Sequence, residues 1–500
     1  MVGGSIPGKA MKQRKTVLLV QPAAQKMIKP RIPINLLPLA YTLREAGFKP
    51  EIIDVRLKGF DEFEIDWSDV LIVGISTYTG QMISSGLEIA KKTREKDSGI
   101  AIVWGGIHPT LDPENTARHP LVDFVVRRDG EETIVVLAKA LQHGKPVGKI
   151  SGITFKKGGR VVSAPDSRRF DMNKLGILPY DLLEMGRYNL AEFPLNTSRG
   201  CPFNCIFCYN QTFNKWTYSM KDAEAVVDEM EYVAKNFPGV ETIAFSDDNF
   251  FLDKARVEKI CGEIMRRKLK IKWMSTIRAD YLVNYSVDFL RLMRESGCCT
   301  LTFGAESGNN RMLKAIGKGT TAEMNLEAVR KLKQAGIVGR ISFVWGIPTE
   351  TYSESIDSLN MIKEFERINP DSIVNGFFIA TVYPNTRLFD KVIEIVPDFK
   401  MPKSLEEWAR WELYIDGFQP WLDRGYVDRM MTASEIVRFR FFKRMNPANY
   451  FKNPIAVLGV RIAEAIMNVS ATIRWKYHFY SFGYEWKLFN KMRFRVFGLT

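Results

Sequence analysis

The chain has 500 residues, of which 46% are hydrophobic and 26% are charged, and its formal net charge is +14. This length corresponds to about two to four domains. No run of 18 apolar residues is present, so we expect no membrane-spanning segment. Six cysteines, three of them close together, indicate a reducing compartment rather than a disulfide scaffold, and predict a cytoplasmic protein.

The first part of the sequence predicts a tail followed by an α/β domain. Residues 1–14 contain Gly, Lys and Arg but no apolar stretch of a secretory signal, and are expected to be a disordered tail. Within residues 15–145, five apolar runs alternate with helical patterns. The predicted strands are 16–20, 51–55, 70–76, 100–104 and 122–126, and the predicted helices are 36–46, 81–95 and 131–142. This alternation predicts a doubly wound, flavodoxin-like parallel sheet.

Ligands of such sheets bind outside the carboxyl ends of the strands. That rule selects the loops 21–33, 76–80, 105–110 and 127–132. The candidate binding residues in these loops are Ser76, Thr77, Tyr78, Gly105, Gly106, Ile107, His108, Gly130 and Glu131. Residues 146–193 then form a predicted linker, with a hairpin whose turn holds Gly158 and Gly159.

A second α/β region is predicted for residues 194–397. Its strands are expected at 195–198, 242–246, 271–276, 300–304, 339–345 and 372–380, and a helical pattern follows each of them. Six strand–helix units are fewer than the eight that close a full barrel, so the sequence predicts a partial (β/α)6 barrel. In barrels, functional residues lie after the carboxyl ends of the strands.

Three cysteines, Cys201, Cys205 and Cys208, follow the first of these strands with the spacing C-x3-C-x2-C. Soft thiolates select zinc, copper(I) or iron–sulfur. A structural zinc site requires four ligands, usually as two separated pairs. The other cysteines (Cys261, Cys298 and Cys299) are scattered in the sequence and provide no second pair. Three thiolates suit a [4Fe–4S] cluster with one open iron. A disulfide or zinc knuckle is the alternative.

This cysteine motif resembles that of the radical S-adenosylmethionine (radical SAM) enzymes. The resemblance implies that the open iron binds SAM, whose reductive cleavage gives a 5′-deoxyadenosyl radical, and that an external donor of the flavodoxin or ferredoxin type supplies the electron. The later strand ends also resemble SAM-contacting segments of the family. By that resemblance Tyr209 and Ile347 lie near adenine, Ser246 and Asp247 near the methionyl amino group, and Glu306 near the ribose or amino group; Arg278 follows the third strand in the same way.

The segments 104–110 and 126–132 resemble the cobalamin-binding domain that precedes many radical SAM cores. The family often carries a D-x-H-x-x-G motif whose histidine binds cobalt, and this sequence has none. His108 could be a ligand, but a loop histidine more often only forms hydrogen bonds. A flavodoxin-like module without a cofactor is the alternative for this domain.

Residues 398–500 are predicted to form a helical region rich in aromatic and basic residues. From residue 433 onwards it holds 12 Lys and Arg against 3 Asp and Glu, together with 15 aromatic residues. Such a composition fits a helical cap on the barrel, a peripheral contact with a membrane, or nucleic acid. We expect a cap first, then membrane contact, and least of all nucleic acid.

The resemblance as a whole covers about residues 15 to 390 and is to the cobalamin-binding radical SAM superfamily, including C-methylases and BchE-like ring-forming enzymes. It implies a C-methyltransferase acting on a small-molecule or lipid-like substrate. A radical cyclase or rearranging enzyme without net methylation, and a non-catalytic cobalamin or redox sensor, are the alternatives. A methylthiotransferase is disfavoured because no second cysteine trio is present.

Overall fold

The structure is a computed structural model that describes residues 14–24, 29–411, 420–441 and 454–488. Most of the predicted N-terminal tail therefore lies outside the described residues. The same holds for part of the aromatic and basic C-terminal sequence, including Tyr414, Phe418 and the run from Phe442 to Lys452. Two sheets organise the described chain, and each builds one of the two predicted α/β regions.

The first sheet has seven strands in the order β2-β1-β3-β4-β5-β6-β7. Strands β1 to β5 run parallel, in the predicted doubly wound arrangement, and β6 and β7 pair antiparallel at the edge. The strands are β1 Thr16–Gln21, β2 Lys49–Asp54, β3 Val70–Ser76, β4 Ala101–Gly105, β5 Phe124–Val126, β6 Ile153–Lys157 and β7 Arg160–Ser163. Its helices are α1 Leu37–Glu45, α2 Met82–Lys96, α3 Ile107–Leu111, α4 Pro113–Arg118 and α5 Glu131–Gln142.

Both faces of this sheet are covered by helices, which explains why strand β1 is buried at all six positions. Continuous apolar runs such as that of β1 are typical of parallel strands with two covered faces. The hairpin β6–β7 belongs to the stretch that the sequence analysis assigned to a linker. Here it extends the sheet, because Phe155 and Thr154 pair with the short strand β5.

The second sheet has six parallel strands in the order β15-β14-β13-β12-β11-β8. They are β8 Glu192–Leu195, β11 Thr242–Phe245, β12 Lys272–Thr276, β13 Cys298–Glu306, β14 Val338–Trp345 and β15 Ile373–Ile379. Two further short strands, β9 Ser198–Arg199 and β10 Ser219–Met220, form a separate two-stranded sheet. The helices are α6 Asn210–Asn214, α7 Ala223–Asn236, α8 Lys254–Arg266, α9 Ala279–Asn284, α10 Val287–Glu295, α11 Asn310–Ala315, α12 Ala322–Ala335, α13 Tyr352–Ile368 and α14 Arg387–Ile395. This order confirms the predicted partial barrel.

The first barrel strand differs from its predicted position at 195–198, because β8 ends at Leu195. The carboxylate of Asp247 accepts hydrogen bonds from the Thr197 backbone N–H at 2.6 Å and from the Ser198 hydroxyl at 2.7 Å. These bonds hold the chain away from the sheet, and Ser198 pairs with Met220 instead. The cysteine loop therefore begins one short turn after the strand.

The C-terminal region is helical, as predicted, with α15 Leu405–Ala409, α16 Arg424–Phe441 and α17 Pro454–Lys476. Helix α16 packs on β15 and α17, and its buried face includes Met430, Ala433 and Ile436. Among the described residues, no helix combines the length and the hydropathy that crossing a bilayer would require.

Candidate cofactor sites

The loop that carries the three cysteines depends on glycine at its first turn. Gly200 has φ +94°, and a Cβ there would overlap the carbonyl oxygen of Thr217. Its backbone N–H donates to Asp248 Oδ2 at 2.7 Å. Only glycine accepts this left-handed conformation without strain, so Gly200 sets the direction in which the loop leaves β9.

The three thiols lie close enough to affect one another. Cys205 is buried, whereas Cys201 and Cys208 are partly exposed. Burial raises the pKa of Cys208 to about 12, and the neighbouring Cys205 and Cys201 add to this. Burial also raises the pKa of Cys201. The thiols of Cys201 and Cys208 are therefore protonated at neutral pH, and their binding to iron as thiolates would release protons.

The chemistry of these thiols suits an iron–sulfur cluster. Three soft thiol ligands with the spacing C-x3-C-x2-C lie in one loop. Three thiolates on a [4Fe–4S] cluster leave one iron open. The three cysteines therefore fit a [4Fe–4S] group.

Arg278 connects the cysteine loop to the strand ends beside it. Its Nη1 lies 3.8 Å from the Cys205 sulfur, and its guanidinium lies 3.5 Å above the ring of Phe203. The same group forms an ion pair with Asp280 at 2.9 Å and donates to the Lys318 carbonyl at 2.6 Å. These three other contacts hold the cation beside the Cys205 sulfur, where it would stabilise the negative charge of a metal-bound thiolate.

Glu306 follows β13 and has φ +59°, which is unusual for a side chain of this size. Its carboxylate accepts a hydrogen bond from Lys318 Nζ at 2.7 Å, and both side chains are nearly buried. The carboxylate also lies against Gly304, where a Cβ would overlap Glu306 Oε1. Lys318, whose carbonyl accepts a hydrogen bond from Arg278, thus holds the Glu306 carboxylate in place.

The two predicted residues at the end of β11 lie in different surroundings. Ser246 is exposed at the barrel mouth. Asp247 is buried, and burial raises the pKa of its carboxyl. Both of its oxygens already accept hydrogen bonds from residues 197 and 198, and Arg256 Nη2 donates to Thr197 Oγ1 at 2.9 Å. In this structure Asp247 therefore organises the cysteine loop.

The two residues predicted near adenine lie on the cysteine loop and on the loop after β14. Tyr209 precedes α6, and its ring makes an edge contact with Tyr383 at 5.8 Å. Ile347 is 3% exposed and its backbone N–H donates to Glu350 Oε2 at 3.0 Å. Glu350 Oε1 in turn accepts from Ser355 at 2.8 Å, so a buried carboxylate fixes the loop after β14.

A cleft lies at the carboxyl ends of β1, β3, β4 and β5, where the strand order of the first sheet reverses. This is where doubly wound sheets bind ligands. Its lining includes five residues that the sequence analysis selected: Ser76, Gly105, Gly106, Gly130 and Glu131. The other four selected residues, Thr77, Tyr78, Ile107 and His108, lie next to the lining rather than in it.

The glycines of the cleft allow its walls to approach closely. Gly106 has φ +90°, and a Cβ there would lie 2.8 Å from the Ser76 hydroxyl. A Cβ at Gly130 would lie 3.1 Å from the Leu39 side chain. Any larger residue would close the cleft at these points.

His108 is fully buried beside the cleft. Its Nδ1 lies 3.0 Å from Thr79 Oγ1, and its ring contacts Trp408 of α15 edge-on at 5.6 Å. Burial lowers its pKa to about 3, so the imidazole is neutral at physiological pH.

An ion-pair network joins the cleft to the cysteine loop. Arg199, two residues before Cys201, lies 2.6 Å from Glu131 and 3.3 Å from Asp129. Asp129 also pairs with Arg169 at 3.1 Å. Sequence analysis missed Arg199, Asp129 and the lining residues Asn35, Asn196 and Phe213; no local pattern marks them, because their partners are distant in sequence.

The cleft also presents acceptors that have no partner among the described residues. Glu131 Oε2 and Asn196 Oδ1 are buried, lack a hydrogen-bond partner, and belong to side chains that line the cleft. A buried acceptor without a donor is costly. The corrin ring of cobalamin carries amide groups whose N–H donors would satisfy them, so the residues present fit this cofactor.

Both α/β regions of this chain match known protein families. Residues 195–362 match the Radical SAM superfamily, and residues 30–138 match the B12 binding domain. The uncharacterized methyltransferase PH0819 of Pyrococcus horikoshii is 33% identical over 396 residues, which cover 75% of this chain and 83% of that protein. The anaerobic magnesium-protoporphyrin IX monomethyl ester cyclase of Synechocystis is 26% identical, over 69% of this chain and 70% of that protein.

Among solved structures, the fold resembles that of the radical S-adenosylmethionine methyltransferase TsrM from Kitasatospora setae. With tryptophan substrate and aza-SAM bound, TsrM aligns with a TM-score of 0.70 at 18% identity, over 96% of this chain and 99% of that one. Its structure with cobalamin and a [4Fe–4S] cluster aligns with a TM-score of 0.65 at 19% identity, over 80% and 81%.

Proposed function

This chain belongs to the cobalamin-binding radical SAM superfamily, and on that premise we propose that it is a C-methyltransferase that methylates an unactivated carbon. Its cofactors are a [4Fe–4S] cluster, SAM and cobalamin, and it acts on a small molecule with electrons from an external donor. When bound, these groups supply a 5′-deoxyadenosyl radical that breaks a substrate C–H bond and a cobalt-bound methyl group that forms the new C–C bond.

The observation that carries the proposal is the ion pair between Arg199 and Glu131. It joins the loop that leads to the cysteines to the wall of the cobalamin cleft. Asn196, Arg199 and Phe213 of the barrel also line that cleft. Two cofactor sites with a common wall can act on one substrate molecule, which hydrogen abstraction followed by methylation requires.

The chain's own residues then have distinct roles in this proposal. Cys201, Cys205 and Cys208 ligate the cluster, and Arg278 stabilises thiolate charge at Cys205. Tyr209, Ser246, Asp247, Arg278, Glu306 and Ile347 form the SAM site, with Asp247 acting through Thr197 and Ser198. For cobalamin, Ser76, Gly105, Gly106, Gly130 and Glu131 provide the cleft wall, and Thr77, Tyr78, Ile107 and His108 support it.

We further propose a hydrophobic substrate. Support comes from the inner face of β14, where Val344 is partly exposed, and from the exposed ring of Phe378 on β15. Apolar side chains left accessible on a barrel interior favour a ligand with apolar surface. Such a substrate also accords with peripheral membrane contact.

The experiment is anaerobic incubation of reconstituted protein with hydroxocobalamin, a reductant, methyl-deuterated SAM and a lysate lipid extract. Mass spectrometry should find 5′-deoxyadenosine together with a product that carries one labelled methyl group in place of hydrogen. The matched control is the variant with Cys201, Cys205 and Cys208 changed to Ala, which should give neither.

The relation to the magnesium-protoporphyrin ester cyclase favours one second candidate, a radical cyclase or rearranging enzyme. It would form 5′-deoxyadenosine and consume substrate without labelled methyl in the product. Absence of 5′-deoxyadenosine under all conditions would contradict both candidates and favour a sensor.

A further inference from the structure

Helix α17 presents an apolar face outwards. Six aliphatic side chains form what we call the outer stripe, and each is between 54% and 79% exposed: Ile455, Leu458, Ile462, Ile466, Val469 and Ile473. The small residues Gly459 and Ala465 lie exposed between them. A surface helix in water normally turns such a face towards the core.

Helix α17 already packs on the protein through a different face. Met467, Ala471 and Trp475 are buried there. Polar contacts add to this packing, because Asn468 Nδ2 donates to the Phe439 carbonyl of α16 at 2.9 Å, and Ser470 and Arg474 both hydrogen-bond to Glu485, each at 3.0 Å. This orientation leaves the outer stripe uncovered by the described residues.

The outer stripe runs along most of the helix. From Ile455 to Ile473 its residues advance in steps of three and four, which places all six on one side of an α-helix. Over these residues the stripe is about 27 Å long. A long, straight apolar face of this kind suits an extended apolar surface.

The charge beside the stripe indicates the polarity of that surface. Helix α17 carries three basic residues, Arg461, Arg474 and Lys476, and one acidic residue, Glu464. Arg461, next to Ile462, and Lys476, at the end of the stripe, are exposed, whereas Glu464 is only partly exposed. The net charge of the helix is positive, and it complements an anionic partner.

Aromatic rings continue the stripe beyond the helix. Tyr477, Phe482 and Tyr484 are 67% to 71% exposed, and the ring of Phe482 contacts those of Phe479 and Tyr484. Exposed aromatic rings beside basic residues are typical of the boundary between lipid headgroups and acyl chains.

We propose that the outer stripe of α17 docks this protein on the surface of an anionic lipid bilayer, with the helix lying in the plane of the headgroups. The aliphatic side chains enter the boundary between headgroups and acyl chains, while the basic residues contact anionic phosphates. This inference rests on the exposed face of α17 and is independent of the reaction in the barrel.

The test is flotation of the full-length, cluster-reconstituted protein with vesicles of phosphatidylcholine alone or mixed with phosphatidylglycerol, at low and high salt. Wild-type protein should float with the anionic vesicles, less so at high salt, and only weakly with the neutral ones. The triple variant Ile462→Ser, Ile466→Ser, Val469→Ser should reduce the bound fraction at least about tenfold. The matched control changes three exposed residues outside the C-terminal region, Val136→Ser, Val162→Ser and Ile177→Ser, and should float like the wild type.

Iron content and thermal midpoint show whether the stripe variants stay folded. A second variant, Ile466→Asp, places one charge at a position that is 63% exposed and should give the same loss of flotation. The proposal is overturned if wild-type protein stays at the bottom with anionic vesicles, or if the stripe variants float like the control. It is also overturned if light scattering finds a lipid-free dimer that the stripe variants convert to a monomer, since the stripe would then bind a second copy.

Discussion

The guanidinium of Arg199 lies 2.6 Å from the carboxylate of Glu131, which joins the cysteine loop to the cobalamin cleft across 68 residues of sequence. The Glu131 side chain is 2% exposed and that of Arg199 is 16% exposed. Burial alone would lower the pKa of Arg199, but Glu131 and Asp129 outweigh it and hold the pKa above its ordinary value. The arginine is therefore charged, and its positive charge balances the negative charges of Glu131 and Asp129.

Arg199→Met should destabilise the protein by about 3–5 kcal/mol, because it leaves the buried Glu131 carboxylate without a counter-ion, whereas Asp129 keeps Arg169. It should also weaken cobalamin binding, measured by absorbance titration. The double variant Arg199→Met, Glu131→Gln should lose less stability than the sum of the single variants. The control is the exposed pair Arg44–Asp181, where Arg44→Met should cost about 1 kcal/mol or less. Additive single-variant losses would contradict a coupling between Arg199 and Glu131.

Replacing Cys201, Cys205 and Cys208 together by Ala should abolish the cluster and its broad visible absorption near about 400 nm. Cys299→Ala should keep it, because that thiol lies on β13 and its partner is the Trp273 carbonyl. Iron analysis checks both variants. A triple variant that still reconstitutes about four irons per chain would disprove the ligand assignment.

Gly200→Ala should reduce cluster incorporation severely, because its Cβ would overlap the Thr217 carbonyl oxygen at φ +94°. The matched control is Gly262→Ala in α8, where a Cβ would meet nothing within 4 Å. That change should leave iron content unchanged and add up to about 1 kcal/mol of stability through helix propensity. Equal iron content in the two variants would show that the loop tolerates a different turn.

Cobalamin should bind in equimolar amount without a protein histidine on cobalt. His108 is buried against Trp408, and its Nδ1 already contacts the Thr79 hydroxyl. The paramagnetic spectrum of the bound cobalt(II) form should therefore lack nitrogen superhyperfine splitting from the protein. Splitting that is lost in His108→Ala but kept in His119→Ala would make His108 a ligand and refute this prediction.

Glu350 should make stability depend on pH. Burial raises the pKa of its carboxyl from 4.5 to about 7 in the folded protein. Because the folded state prefers the protonated form, the free energy of unfolding contributed by this group is highest below pH 4.5 and falls as the pH rises to about 7, by about 3 kcal/mol.

Glu350→Gln removes this titration, so the stability of wild-type protein relative to the variant should decrease between pH 5 and about 7.5. Thermal midpoints of both proteins across this range provide the measurement. Val136→Ser, at an exposed position of α5, should keep the wild-type pH dependence. A difference between wild type and Glu350→Gln that does not change with pH would contradict the raised pKa.

The sequence by itself determined what depends on short-range pattern. The spacing of Cys201, Cys205 and Cys208 specified three thiols in one loop, and alternating apolar runs specified two parallel sheets. Glycines at 105 and 106 marked a turn beside a strand end. These features are local because chain geometry over a few residues already restricts which side chains can meet and which backbone angles are allowed.

Tertiary structure decided which of these groups are buried and what they pair with. Asp129 and Arg199 are 70 residues apart, and Trp408 reaches Asp112 beside His108 across 296 residues. Asp247 accepts hydrogen bonds from residues 197 and 198. Helix α17 is oriented by its buried residues Met467, Ala471 and Trp475, together with contacts to Glu485 and the Phe439 carbonyl. The burial of a charged group and the identity of its partner depend on which residues packing brings together. Neither can be deduced from spacing along the sequence.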